Sequence, residues 1–437
     1  MNKKRLILLL LPFLSIAGCK SSSFINGEMS DDLKSCLIKA PMIIEHEKPE
    51  QFDNFYNKMN NFSSKISYSI LSNSHLEDNV AISPMSLYFS IAMLGECATS
   101  STRDELLKSI NVSHQELIDN IPYLSNLLNT TFYYDTLSSQ KPYGSIKLTN
   151  SVWFQEGIDI NQELINSLSS TFDSYLFKTD FYNEKYSQNV IQEFIRIQTN
   201  GIINNPVDVD PTSLMLLINN LYFKDCWDLN DGYLNNNRQL FINEDKTTKY
   251  VDLLEGLYYP GKVYVGDKFK TFYTKTSADY QLSFLVPDID VPIFDVFTEQ
   301  NILEMANREY ERLNVEQKKS YMTNVLFPEF NATFDASVKT NFYNDLGIRK
   351  VFVPNIADFS NINENIPLFV SDINQKTSFN VNTTGIEGAS VSGVTVAPIS
   401  PVPEYEIIND TFIVNRSFGF VLTKDKNILF SGVVQKI

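Results

Sequence analysis

Residues 383–398 read Thr-Thr-Gly-Ile-Glu-Gly-Ala-Ser-Val-Ser-Gly-Val-Thr-Val-Ala-Pro, small and β-branched residues with one charge and no internal proline. Strand side chains alternate between faces, so Ile386, Gly388, Ser390, Ser392, Val394 and Val396 share one face, and Glu387, Ala389, Val391, Gly393 and Thr395 share the other. The only charge lies on the second face, which leaves the first free to be buried whole. Every residue from 386 to 397 keeps its backbone N–H and is compatible with a central sheet position that proline forbids. Pro398, Pro401 and Pro403 then make 397–403 a stiff, extended tip. Gly385, Gly388 and Gly393 weaken a permanent strand but suit one that forms on demand; the same residues also fit an ordinary Gly/Ser loop before a C-terminal hairpin.

The chain begins with Lys3, Lys4 and Arg5, an apolar run over 6–14, and then Ile16-Ala17-Gly18-Cys19. This layout is that of a secretory signal. It resembles the signal of bacterial lipoproteins, in which small residues precede a cysteine that becomes the lipidated first residue. The resemblance implies that 1–18 is removed, that a lipid at Cys19 anchors the chain to a membrane, and that the product is an outer-membrane lipoprotein facing the periplasm or the cell surface. A plain signal peptide or a short anchor is the alternative, although the apolar run is short for a span. Loss of 1–18 removes three positive charges and no acid, which moves the formal charge from −16 to −19. With that balance and no dense Lys/Arg cluster afterwards, nucleic acid is not an expected partner. Cys36, Cys97 and Cys226 are odd in number and far apart, so neither a disulfide framework nor a CxxC metal motif is present.

Residues 19–50 read as a tether with a short helix around 33–38. Glu45-His46-Glu47 within it is a solvated polar run rather than a metal site. The 437 residues, 43% hydrophobic, leave ample material for a core in 51–437. Apolar spacing predicts helices over 51–71, 84–96, 102–109, 161–172 and 189–200, with Ser83 capping the second ahead of Pro84, and Thr102 with Glu105 forming a capping box on the third. Strands are expected over 146–154, 214–223, 250–264, 280–286, 320–334, 368–381 and 407–434. Helices come first and strands dominate later, which predicts an α+β fold with a large mixed or antiparallel sheet.

The chemistry for catalysis is sparse. His46, His75 and His114 are the only histidines, and none sits in a nucleophile-elbow or papain-like context. No GxSxG, HExxH, P-loop or dinucleotide fingerprint occurs. Carboxylates are plentiful, so a glycosidase pair is not excluded by sequence, but no residue stands out as catalytic and no cofactor or metal is implied.

Several segments in order resemble the serpin family across nearly all of 51–437. They are Asn79-Val80-Ala81-Ile82-Ser83-Pro84-Met85-Ser86, Leu94-Gly95 with Thr102-Arg103-Asp104-Glu105-Leu106, Asn150-Ser151-Val152-Trp153, Asp180-Phe181 and Thr199-Asn200-Gly201. The most specific is Leu217-Ile218-Asn219-Asn220-Leu221-Tyr222-Phe223-Lys224 with Trp227 just beyond. Phe327-Pro328-Glu329-Phe330, Leu346-Gly347-Ile348, Ala357-Asp358-Phe359-Ser360, Asn415-Arg416-Ser417-Phe418 and Ile428-Leu429-Phe430-Ser431-Gly432 follow.

That resemblance implies a serpin-like body of N-terminal helices, a large central mixed sheet and further sheets, with 385–406 as an exposed reactive-centre loop. It implies a monomeric suicide inhibitor: a protease cuts the loop, and the loop inserts as a new central strand before the acyl-enzyme hydrolyses. Family spacing from the hinge glycine, Gly385, selects Ile399-Ser400 as the bond cut, with Val396-Ala397 as the fallback. Such a bond fits an elastase-like serine protease or a broad cysteine or subtilisin-like enzyme, and no basic residue is offered to a trypsin-like one.

The inserting strand would run from Gly385 through Ile386, Glu387, Gly388, Ala389, Ser390, Val391 and Ser392. The family's gate over the sheet opening maps to Ser83, Ser86 and Asn219, with Gln375 where a histidine is usual, and Trp227 to the top of the opening. Ile386 replaces the usual Thr or Ser after the hinge glycine and is expected to slow the first step. Apart from any family, Asn219 also fits a satisfied buried amide, Trp227 a core aromatic and Ser83 a helix cap. Two rival functions stand beside inhibition: a non-inhibitory serpin-fold binding protein, and a surface glycan- or nutrient-binding lipoprotein.

Overall fold

A computed structural model describes residues 28–42, 44–73, 78–133, 142–203, 209–227, 234–386 and 405–437. Of the positions singled out above, the N-terminal signal with Cys19, then His75, Glu387, Gly388, Ala389, Ser390, Val391, Ser392, Gly393, Val394, Thr395, Val396, Ala397, Pro398, Ile399, Ser400, Pro401 and Pro403 lie outside these residues.

An eight-stranded mixed sheet organises the molecule. Its strands are β1 (Leu37–Lys39), β2 (Asn129–Tyr133), β3 (Pro142–Gln155), β4 (Ser174–Thr179), β5 (Met215–Cys226), β6 (Phe330–Ser337), β7 (Asn374–Asn382) and β8 (Gly385–Ile386). Across the sheet the order is β1-β4-β3-β5-β8-β7-β6, with β2 also paired to β3. Only β3 and β4 run parallel; the other neighbours are antiparallel. A six-stranded and a five-stranded sheet, built mostly from residues beyond 234, complete the body, as the predicted α+β class requires.

The helices that position the sheet opening follow from local sequence. These are α1 (Asp31–Cys36), α2 (Phe52–Leu71), α3 (Pro84–Cys97), α4 (Ser100–Ser109), α5 (His114–Leu127), α6 (Gln162–Thr171) and α7 (Glu184–Gln198). Ser83 caps α3 as expected, accepting from the Ser86 amide, with Pro84 opening the helix where its missing N–H costs nothing. All fourteen residues of α3 are buried, so the helix lies in the core and the serines along it are interior polar groups.

Several sequence expectations need correction. Helix α4 is capped by Thr99, not Thr102. Thr102 is buried and accepts the Asp358 amide (3.1 Å), while Glu105 accepts the amides of Arg349 (2.6 Å) and Lys350 (2.7 Å), so both side chains serve tertiary contacts instead of a capping box. Helix α7 starts at Glu184, five residues before the expected 189, because Asn183 caps it. The strand expected over 320–334 is two, Lys319–Pro328 and β6, with Glu329 between them. The one expected from 368 begins only at Asn374, and 407–434 divides into three strands.

The segment read as a tether also differs. Residues 28–42 pack on the body, where β1 pairs with β4 at the sheet edge and α1 lies on α7. The Ser30 amide and hydroxyl each donate to the Glu193 carboxylate at 2.7 Å, and Leu33 is fully buried among Trp153, Phe177 and Val190. Six helical residues are too few to show an apolar face by periodicity, which is why this docking was invisible in the sequence.

Candidate functional site

Among the described residues, one strand position of the sheet is occupied at its upper end only, by β8. At the top, Gly385 pairs with Cys226 of β5 and Asn382 of β7, and Ile386 pairs with Asp225 and Val381. Among the described residues, β5 and β7 share no ladder below this point. Directly beneath Ile386 they face each other across a narrow cleft; further down they part around a cavity of about 450 Å³ bordered by Ser86, Ser90, Leu216, Asn219, Phe369 and Gln375. Residues 368–373, expected as strand, instead line this cavity.

Two backbone features hold the upper end. Gly385 lies so close to β5 that a β-carbon would strike the Asp225 carbonyl oxygen and sit 2.8 Å from Cys226 Cα, backbone atoms that cannot turn aside. Ile386 is 1% exposed and belongs to the main core, on the face that the alternation pattern assigns to burial. Ile386, the residue expected to slow entry of the segment into the sheet, is itself paired to both β5 and β7.

Trp227 closes the top. Its indole N–H donates to Asn382 O (2.7 Å), its amide to Thr384 O (3.2 Å), and its ring meets Phe327 edge-on at 5.5 Å. Thr384 Oγ1 donates to Asn382 Oδ1 (2.7 Å) and the Thr383 amide to Glu329 (2.9 Å), so the turn between β7 and β8 is tied on both sides. Asp225, beside this turn, is 1% exposed; burial pushes its carboxyl up to about 7 despite opposing hydrogen bonds from Thr276, Ala278 and Cys226 and the charge of Lys424.

Halfway down, polar side chains from α3 meet both borders of the gap. Ser83 Oγ donates to Leu429 O (3.1 Å), and Ser86 Oγ donates to Ser83 Oγ (3.1 Å). On the β5 side the chain continues through Ser90 Oγ to Asn219 Oδ1 (2.7 Å), then from Asn219 Nδ2 to Asn150 Oδ1 (2.6 Å) and from Asn150 Nδ2 to Phe172 O (2.7 Å). On the β7 side Gln375 Nε2 donates to Ser83 O (2.7 Å), while Gln375 Oε1, buried, has no hydrogen-bond partner among the described residues. Asn219 and Gln375 thus stand on opposite borders, bridged through α3 and not bonded to each other. An N–H arriving between them would satisfy Gln375 Oε1.

The structure therefore brings together Ser83, Ser86, Asn219 and Gln375, and adds Ser90 and Asn150, which sequence reasoning missed. The signal for Ser90 was available: serines at 83, 86 and 90 stand three and four residues apart, on one face of a helix that is otherwise apolar up to Glu96. Asn150 and Asp225 carried no comparable signal.

Comparisons with known proteins agree with this geometry. The family model described as Serpin (serine protease inhibitor) matches residues 57–437. Human neuroserpin is 23% identical over 371 residues, 82% of this chain and 86% of its own length. The native crystal structure of tengpin, a thermophilic serpin, superposes with a TM-score of 0.73 at 20% identity, covering 93% of this chain and 98% of tengpin. Thyroxine-binding globulin complexed with thyroxine superposes at 0.66 with 18% identity, over 87% of this chain and 99% of its own. A family match over most of the chain, on a fold that superposes on solved serpins, leads to one conclusion: this chain belongs to the serpin family, described as one of serine protease inhibitors and not of enzymes.

Proposed function

We propose that the chain is a suicide inhibitor of proteases that acts by inserting its cut loop between β5 and β7. The observation that carries this reading is the seated pair Gly385–Ile386 at the head of a cavity: a short strand below which, among the described residues, β5 and β7 share no ladder. If insertion continues in register, Gly388, Ser390, Ser392, Val394 and Val396 follow Ile386 onto the buried face, and none of them carries a charge. Gln375 Oε1 is a waiting acceptor on the route, so insertion removes a cost already present. Energy stored in the unfilled sheet is released on cleavage, which is the bistability such inhibition needs.

The bait on this reading is Ile399-Ser400, with Val396-Ala397 second, offered to an elastase-like serine protease or a broad cysteine or subtilisin-like enzyme. The lipid anchor at Cys19, on the outer membrane and facing the periplasm or the cell surface, belongs to the same reading. Incubation with an elastase-like protease tests it. A complex that survives a denaturing gel, with release of a fragment whose mass starts at Ser400, is the expected result. Clean cleavage without complex would favour a non-inhibitory, binding role.

A further inference from the structure

Asp225 and Ile386 are direct partners across the β5–β8 ladder, and directly opposed residues project from the same face of a sheet. The carboxyl and the isoleucine side chain therefore lie side by side, both almost wholly buried. On the other flank Gly144 of β3 comes so close that a β-carbon there would be 3.1 Å from Asp225 Cα. Asp225 Oδ2 accepts the Ala278 amide at 3.0 Å; Oδ1 makes no hydrogen bond of normal geometry.

No cation is bonded to this acid. Among the described residues the charged and titratable groups nearest it include Lys424, Tyr280 and Cys226, with Asp425 and Tyr143 acting on Tyr280 in turn. Lys424 Nζ is committed to Ala278 O (2.8 Å) and stands 5.2 Å over the Tyr280 ring. Tyr280 is buried and its phenol is pushed up, so it stays neutral, and the Cys226 thiol is turned to Ser277 Oγ at 3.2 Å. Gly144 and Ser145 of β3, Val381 and Asn382 of β7, and Ile386 itself bring no charge. The wall most easily removed is Ile386, because β8 holds the sheet through two residues only.

We propose that Asp225 is a proton-controlled latch on the hinge: with its carboxyl neutral, Gly385–Ile386 stays seated between β5 and β7, and ionisation of Asp225 drives the pair out of the sheet. A buried carboxylate with no cation bonded to it is costly even with the Lys424 charge nearby, and withdrawal of Ile386 admits water to it. The sign follows from burial. The seated state holds the proton up to about pH 7, whereas the withdrawn state releases it closer to the ordinary carboxylate range, so the seated state binds more protons between those values. Acid conditions favour the seated hinge and alkaline conditions the withdrawn one. With a seated value of about 7, linkage gives an increase of about tenfold in the withdrawn-to-seated ratio between pH 6 and pH 8. On the loop-insertion reading above, on which this consequence rests, the loop is free for a protease above neutrality and pre-anchored below it.

The test needs no protease. Trp227 donates to Asn382 O and Thr384 O beside the hinge, whereas Trp153, the only other tryptophan, stacks on Phe177 at 4.0 Å in the separate core under α7. The full chain labelled with 5-fluorotryptophan should give two fluorine resonances, of which one titrates near pH 7. Hydrogen exchange over 383–387, corrected for intrinsic rates, should lose about tenfold protection from pH 6 to pH 8. In Asp225→Asn both profiles should become flat, with the hinge seated throughout. Ile386→Ala, which admits water without touching the acid, should lower the titration midpoint, and it serves if Asp225→Asn does not fold. A flat profile in the unaltered chain, the same titration in Asp225→Asn, or an unmoved midpoint in Ile386→Ala overturns the latch. Stable protease complexes with a flat titration would sink the latch alone, and a normal titration without complexes would sink the inhibitory reading alone.

Discussion

Replacing Ile386 with glutamate places a second carboxyl directly opposite Asp225 on a buried face. Two effects add against the seated hinge. Ile386 is 1% exposed, so losing its apolar burial costs about 2 kcal/mol. An uncompensated charge beside another buried acid costs about 3 kcal/mol more. Even if only half of that sum appears in the barrier to loop insertion, ~2.5 kcal/mol shifts the race between insertion and acyl-enzyme hydrolysis by about 70-fold. The assay is the yield of gel-stable complex per loop cut, measured with an elastase-like protease against unaltered chain and Ile386→Ala. The alanine variant keeps a neutral, small residue on the buried face and should retain most of the complex. The glutamate variant should be cut at the same bond and released as ordinary substrate. Complex formation by Ile386→Glu at the unaltered ratio would refute the reasoning, because it would mean that the face bearing Ile386 is not buried during inhibition.

Other outcomes follow from the same geometry. Gly385→Ala drives a methyl group into the backbone of β5 and should cost the seated hinge about 1–3 kcal/mol, read as faster hydrogen exchange at 383–387 with an unchanged global melt. Asn219→Ala removes the link between Ser90 and Asn150 and strands Asn150 Oδ1, so thermal stability should fall by about 1–3 kcal/mol. Asp173, at φ 47° before β4, has its carboxyl pushed up to about 6 by burial. Its folded value exceeds its unfolded one, so its contribution is most favourable below about pH 4 and is lost as pH rises to 6. Asp173→Asn, which tolerates the same backbone, should therefore stabilise at pH 7 on the order of 1 kcal/mol after solvent screening and lose that advantage at pH 4.

The large sheet and the burial of Ile386 were legible because period-two alternation is a strong signal where neighbours impose no exception: Ile386 is buried as the pattern requires. Helix α3 was equally legible, since Ser83-Pro84 fixes its start locally. The failures occur where a side chain is claimed by distant chain. Thr102 and Glu105 have the spacing of a capping box, but the amides of Asp358, Arg349 and Lys350, more than 240 residues away, take both. Asp225 follows a lysine at a strand end and looks like a solvated charge, but Gly144, Ala278 and Gly385–Ile386, all distant in sequence, enclose it. The docking of 28–42 was hidden for a similar reason, because Leu33 and Cys36 acquire an apolar environment from β3, β4 and α7, all distant in sequence.

The claim that the gap between β5 and β7 is a strand position awaiting residues 387–396 is tested most directly by melting the chain before and after a single cut in the loop. Filling the gap adds ladder hydrogen bonds on both sides and buries Val394 and Val396, so the cut chain should melt higher by on the order of 20 °C, with 387–396 protected from exchange. A cut chain that melts at the same temperature or lower, with 387–396 still exchanging freely, would contradict the account.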